Sequence, residues 1–310
     1  MARKRHKASG FTIIELLVVI GIIALLTGLL APGLSVLTRS ARGLKQKSIL
    51  HSYETGLELF RKDFDYYPPS TLENNAFGSG RKVTGAQHLA EALMGRDLEG
   101  FDPRTRWCDP TEDSSVYSVG EASVNRRKPH YTVVKDDGVY SLEDVYEGGT
   151  INDIFSPRVS SGRRAPVMTD IFGSKRVTLA SGEQVKVGTP VLYFRADTAT
   201  RRFMGVESMA NHRQWIYNYE DNRAIIDLGA ISDQTARHGY DQGQITNRDG
   251  RNLNGLELFY ERIRHPQFRV LDESGNVRSD RPYNPTTFIL ISAGWDGIFG
   301  TKDDVTNISY

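Results

Sequence analysis

Residues 11–30 constrain this chain more than any other stretch, because their only polar side chains are Thr12, Glu15 and Thr27. Twenty helical residues rise about 30 Å, the thickness of a bilayer's hydrocarbon core, so the run predicts a transmembrane helix. A basic leader precedes it, with Arg3, Lys4, Arg5 and Lys7 in the first ten residues. Positive charge there holds the leader in the cytoplasm and sends the C-terminal bulk outward. A secretory signal peptide shares that charge order, but a cleavable one ends in a small-x-small site, whereas this run closes Leu29-Leu30-Ala31-Pro32-Gly33. An uncleaved signal anchor accounts for length and charge and leaves Glu15 unexplained. An acid costs on the order of 2.5–3.5 kcal/mol at the centre of a membrane helix and less near its end, so Glu15 calls for a partner.

A cut between Gly10 and Phe11 would supply one, because the amine released on Phe11 would face the carboxylate in a low-dielectric setting. Gly10, Phe11, Thr12, Ile13, Ile14 and Glu15, in that order, resemble the signature of the type IV pilin and type II secretion pseudopilin family. That signature is a basic leader ending in Gly, an aromatic residue, Thr-Ile/Leu-Ile-Glu and an apolar helix. The resemblance implies cleavage after Gly10 by prepilin peptidase, N-methylation of Phe11, and storage as a single-pass subunit of the bacterial inner membrane with its head in the periplasm. It further implies handling by an inner-membrane assembly platform and entry into a helical filament of pseudopilin subunits, in which Glu15 of one meets the Phe11 amine of the next. Pro32 removes a helix hydrogen bond and Gly33 loosens the turn, so the helix is expected to break there. The resemblance gives that break a use, as a point of local unwinding when subunits pack.

Beyond Pro32, Leu37, Ala41, Leu44, Ile49, Tyr53, Leu57, Phe60 and Phe64 recur mostly at three- and four-residue spacings between charged residues. This predicts an amphipathic continuation of the stem over 32–66, ended by Tyr66-Tyr67-Pro68-Pro69 and packed on a sheet that follows. Gly85 to Met94 reads as a short helix capped by Gly95, and 191–196 and 287–292 read as strands between turn residues. The fold class expected is α+β: a long N-terminal helix, half membrane and half amphipathic, on an antiparallel β-sheet head, pilin-like. Its segments are a leader at 1–10, a membrane and filament-core helix at 11–31, the stem continuation, and a periplasmic head at 67–310. Residues 199–285, polar and rich in Asn, Arg and Asp, read as an insertion between core strands. Asp170-Ile171-Phe172-Gly173 resembles the Asp-x-Trp-Gly hairpin of major pseudopilins, with phenylalanine for tryptophan.

The single cysteine, Cys108, rules out an intramolecular disulfide, so something else must hold the C-terminus. The stretch 292–305 offers a means. Asp296 opens it, Gly297 and Gly300 let the backbone fold back, and Asp303 and Asp304 return two acids. Calcium takes six to eight oxygens, which such a loop gathers, while an Asp-Gly turn with a solvated acid pair has the same residues. The stretch also resembles the C-terminal calcium loop of major pseudopilins. That resemblance implies Asp296, Asp303 and Asp304 as side-chain ligands, with backbone carbonyls near Ser292 and Val305 completing the shell.

With 39 basic and 38 acidic residues the chain has a formal net charge of +1, which gives no pull toward nucleic acid. Its seven histidines lack zinc-ligand spacing, and no P-loop, nucleophile elbow or dinucleotide fingerprint occurs, so an enzyme is not expected. The expected role is that of a structural subunit of a type II secretion pseudopilus with an enlarged head. The alternatives are a minor pseudopilin, a surface type IV pilin, and a signal-anchored periplasmic binding protein that never polymerises.

Overall fold

The computed structural model describes residues 12–71, 78–132, 138–146, 151, 154, 166–173, 175–179, 181–201, 203, 215–241, 245–246, 252–268, 270–271 and 277–308. Residues 29–33, 245–246, 252, 270–271 and 277–279 are described by backbone alone. Two compact units divide the chain, Met1–Leu44 and Lys45–Tyr310.

The first unit holds the start of helix α1, which runs Ile13–Phe64 over 52 residues. Its hydroxyls are satisfied locally: Thr27 donates to the Ile23 carbonyl at 2.8 Å, as Thr38 does to Leu34 at 2.8 Å. Such bonding lets a threonine sit in an apolar run without an unmet donor. Leu37 and Leu44, expected on a packed stripe, are exposed. The expected break at Pro32 and Gly33 does not occur, since the helix continues through 31–33. A proline deletes one backbone hydrogen bond, and a helix with long helical runs on both sides keeps its course across that single loss. Among the described residues no helix is long and apolar enough to cross a membrane; the apolar run described with its side chains ends at Gly28.

In the second unit α1 ends where Asp65 turns left-handed at φ 64°, three residues ahead of Pro68. Helix α2 follows at Gly85–Met94, with the bounds the apolar spacing predicts and Gly95 at φ 85° as its C-cap. A capping box starts it, Gln87 reaching back to the Thr84 amide at 2.9 Å. Two single-turn helices come next, α3 at Glu121–Val124 and α4 at Leu142–Val145, with strand β1 at Val139–Ser141 between them. Strand β2, Pro166–Met168, pairs antiparallel with β1. Strands β3, Lys175–Thr178, and β4, Gln184–Val187, form a hairpin ahead of β5, Leu192–Arg195.

The stretch between β5 and the next core strand contains helix α5 at Glu220–Ile226, the short pair β6 Ile245–Thr246 and β7 Asn252–Leu253, helix α6 at Gly255–Ile263, and the pair β8 Val270–Leu271 and β9 Val277–Ser279. Strands β10, Phe288–Ser292, and β11, Val305–Thr306, finish the chain. The central sheet has the order β11-β10-β5, antiparallel throughout.

Alternation along β5 and β10 decides what lies on each face. Tyr193, Phe288 and Leu290 join Leu50, Tyr53 and Leu57 of α1 and Leu89, Ala90 and Leu93 of α2 in one apolar cluster. Leu192, Phe194, Ile289 and Ile291 join Ile225 and Ile226 of α5 and Phe259, Tyr260 and Ile263 of α6 in another. The sheet is therefore covered on both faces, which is why β10 reads as an unbroken apolar run. The stem packs on the sheet as its periodicity predicts, each buried Leu or Tyr contributing about 1.5–3 kcal/mol. Residues 199–285, although polar overall, supply the other covering layer. Among the described residues of that stretch, apolar side chains such as Ile225, Phe259 and Tyr260 are spent on the core, and the polar Asp221, Asn222 and His238 are buried with them.

An ionic network fastens α2 to the loops after it. Arg96 is buried, pairs with Glu91 at 2.9 Å and Glu112 at 2.7 Å, and lies over the Tyr117 ring at 4.8 Å. Thr105 donates to Glu91 at 2.6 Å, so that carboxylate has two donors in an otherwise apolar setting.

Candidate functional site

Two constellations carry chemistry, one at each end of the chain. At the N-terminus, Gly10 and Phe11 lie outside the described residues. Glu15 sits in the first turn of α1, where its carboxylate accepts from the Thr12 amide and the Thr12 hydroxyl, both at 2.8 Å. The Glu15 amide in turn donates to the Thr12 hydroxyl at 3.3 Å. This is a capping box, Thr12 as N-cap and Glu15 three residues on, with negative charge at the positive end of the helix dipole. The Thr-x-x-Glu spacing in the sequence carried that signal, masked by the attention a membrane acid draws. Glu15 remains exposed in the single subunit, so its carboxylate is accessible to a group from outside. Pro32 is placed within α1 by its backbone alone.

At the other end, residues 293–304 connect β10 to β11. Ser292 and Val305, expected to frame the loop, are register partners across the two strands. Gly294 at φ 73° makes the close return possible: a Cβ there would stand 2.1 Å from the Asp303 carbonyl. Gly297 at φ 70° and Gly300 at φ 91° occupy the same left-handed region, which side chains disfavour.

The turn brings the predicted acids into one neighbourhood and also gives each an internal partner. Asp303 accepts from the Asp296 amide at 3.0 Å and from the Thr301 hydroxyl at 2.5 Å. Asp296 accepts from the Ile298 amide at 2.8 Å. Asp304 accepts from the Gly300 amide at 2.9 Å through Oδ2, while its Oδ1 is buried with no hydrogen-bond donor.

Electrostatics follow from this crowding. Burial, then repulsion from Asp303 and Asp296, pushes Asp304 up to about 8 despite the Gly300 amide and the Arg262 guanidinium. Burial raises Asp296 as well, whereas the Thr301 hydroxyl and the Asp296 amide outweigh burial at Asp303 and lower it. An arrangement that raises two of three neighbouring acids is short of positive charge. Among the described residues, however, no group of three or more His, Cys, Asp or Glu is placed to hold a metal ion.

Three supports of this loop escape sequence reasoning. Asp170, just after β2, accepts from the Ser292 hydroxyl at 3.1 Å and from the Thr189 and Phe172 amides at 3.2 Å. It binds the β3–β4 hairpin to the end of β10, and burial pushes it up to about 7, with Asp303 adding repulsion. His238 accepts from the Phe299 amide at 3.1 Å, and Gly239 donates to the Phe299 carbonyl at 2.7 Å. Arg262 of α6 donates to the Gly300 and Thr301 carbonyls at 3.3 and 2.9 Å. His238, Gly239 and Arg262 thus hold a loop whose bonded residues lie 38 to 61 positions further on. Only the Asp-x-x-Gly motif of Asp170 had a sequence signal, as the start of a hairpin rather than as a brace.

The family model for the prokaryotic N-terminal methylation motif matches residues 5–31. No curated protein and no solved structure matches the chain. The matched segment includes the basic leader's end, the Gly10-Phe11 junction and Glu15, the residues that carry the N-terminal constellation. With the long α1 and the antiparallel strands that follow it, the chain carries the N-terminal methylation motif of type IV pilin-like proteins, a motif that implies processing by prepilin peptidase and pilin-like filament assembly.

Proposed function

We propose that this chain is a structural subunit of a type II secretion pseudopilus rather than an enzyme, cut between Gly10 and Phe11, methylated on Phe11 and held in the inner membrane until it enters the filament. The observation that carries this reading is the match of residues 5–31 to the methylation motif, which joins the cut site to an apolar helix with an acid in its first turn. Among the described residues the Glu15 carboxylate is engaged by Thr12 of its own chain, and it is exposed. A neighbour's Phe11 amine would meet it there as a charge-assisted partner and set axial register.

Calcium is proposed for the 292–305 loop. The buried Oδ1 of Asp304 has no donor, and the upward shifts of Asp304 and Asp296 favour a cation nearby. Asp296, Asp303 and Asp304 would hold the ion with backbone carbonyls near Ser292 and Val305. The ion would neutralise the acids and order the connection between β10 and β11, the work a disulfide cannot do in a chain with one cysteine. As placed, the carboxylates do not form a ready-made cluster, so the proposal requires them to close on the ion.

Intact-mass and N-terminal analysis of the membrane-extracted protein tests the pilin pathway. A chain beginning at methylated Phe11 is expected. A chain beginning at Met1 would overturn processing and leave a signal-anchored periplasmic binding protein as the reading, and one beginning beyond Ala31 would make the apolar run an ordinary cleaved signal.

A further inference from the structure

Two adjoining grooves open where the residues after β5, the turn after α6 and the approach to β10 meet. The larger, about 600 Å³, is lined by Thr198, Thr200, Arg201, Gln267, Arg281 and Thr286 among others. A smaller one of about 360 Å³ shares Phe268, Arg281, Pro285 and Thr286 with it and extends to His265 and Tyr283.

Among the described residues that line it, the charge of the larger groove is one-sided. Its acid, Asp280, is taken by Arg264 and its side chain is 1% exposed. Arg201 and Arg281 are exposed, and neither guanidinium pairs with a carboxylate among the described residues. Arg281 instead lies 5.8 Å from the centroid of Phe268, whose side chain remains 48% exposed. The His265 ring stands 4.7 Å from Phe268 and 4.6 Å from Tyr283, so the three rings pack as one aromatic group. A single solvated arginine on a surface is ordinary. Two lining one groove, together with an exposed ring and threonine hydroxyls, match a ligand that has an anionic group, hydroxyls and an apolar ring face.

We propose that this groove binds an anionic saccharide, a sugar ring bearing a carboxylate. The ring's C–H face would lie on Phe268, and the carboxylate would take the guanidinium forks of Arg201 and Arg281, whose planar donors fit it in pairs. Thr198, Thr200, Thr286 and Gln267 would replace water at the sugar hydroxyls. The volume lies within the range of about 300–1,000 Å³ usual for small-ligand sites. An acidic peptide would satisfy the arginines but would leave the hydroxyl wall unused.

Calorimetric titration of the detergent-solubilised full chain tests this, with trigalacturonate, uncharged galactotriose and tetraglutamate as probes. Trigalacturonate is expected to bind, and galactotriose to bind at least tenfold more weakly, on the order of one lost charged hydrogen bond. Arg201→Gln, Arg281→Gln and Phe268→Ala are each expected to weaken trigalacturonate by roughly tenfold while leaving the melting temperature unchanged, since all three side chains are exposed. Arg281→Lys, which keeps the charge and loses the fork, should fall between. Equal binding of galactotriose and trigalacturonate, indifference to the three variants, or no binding of any probe would overturn the proposal. Tetraglutamate binding more tightly than trigalacturonate, with no loss in Phe268→Ala, would replace it with an acidic-peptide site.

Discussion

Asp304→Asn separates the cost of a buried acid from the gain an ion would bring. Asp304 stands at about 8 in the folded chain, chiefly because of burial, against about 3.9 for an unperturbed aspartate. A carboxyl raised by folding keeps its proton in the folded state after the unfolded chain has lost it. Its contribution is therefore fully present below about pH 4 and is lost as pH rises to about 8. At pH 7, about three units above the unfolded value, the loss comes to about 4 kcal/mol. Asparagine has the same shape, keeps an acceptor for the Gly300 amide and does not ionise. In chelator the variant is expected to be more stable than the parent by up to about 4 kcal/mol at pH 7, the difference growing by close to 1.4 kcal/mol per unit between about pH 4 and 8. In calcium the parent should gain RT ln(1 + [Ca]/Kd) and the variant, one ligand short, much less, so the gap narrows or reverses. Guanidinium unfolding of the full chain with chelator and with calcium, at several pH values, measures both arms. Using the difference between parent and variant cancels Asp170, which titrates in the same direction. A destabilised variant in chelator, or a difference that does not change with pH, would refute the burial argument. Calcium that stabilises neither protein would remove the metal.

Two further outcomes are expected. Glu15→Gln keeps an acceptor for Thr12 and loses the charge, whereas Glu15→Ala loses both. Both variants should insert in the membrane and assemble poorly, with only Glu15→Ala also losing the roughly 1 kcal/mol of a helix cap, and normal filament assembly by Glu15→Gln would end its role in register. Arg96→Met should cost about 3–5 kcal/mol in chemical denaturation, because it strands Glu91 and Glu112 in a buried setting. A loss below about 1 kcal/mol would mean that water reaches those carboxylates once the guanidinium is gone.

Much of this molecule is legible along the chain because the relevant physics is local. The apolar run, the acid at Glu15, the capping spacing from Thr12 and the periodicity through Tyr53, Leu57 and Phe60 depend on neighbours within a few turns. Helix α2 and strands β5 and β10 are found for the same reason, each bounded by its own glycine, proline or turn residues. The glycines of the 292–305 loop likewise announce its tight return. What escapes is whatever depends on residues far apart. Pro32 reads as a helix breaker, yet the helix on either side carries the single missing bond. Residues 199–285 look like a polar insertion because composition averages over them, while Ile225, Phe259 and Tyr260 are buried beneath the central sheet. The braces on the C-terminal loop, Asp170, His238 and Arg262, come from three separate segments, and of them only Asp170 stands in a motif, one that reads as the start of a hairpin and not as a brace. Sequence by itself determined helix α2, strands β5 and β10, the amphipathic stem, the N-terminal motif and the identity of the loop acids. Tertiary structure decided which acids lose water and how far their proton affinities rise, because desolvation depends on every segment packed around a group and not on the residues beside it in the chain.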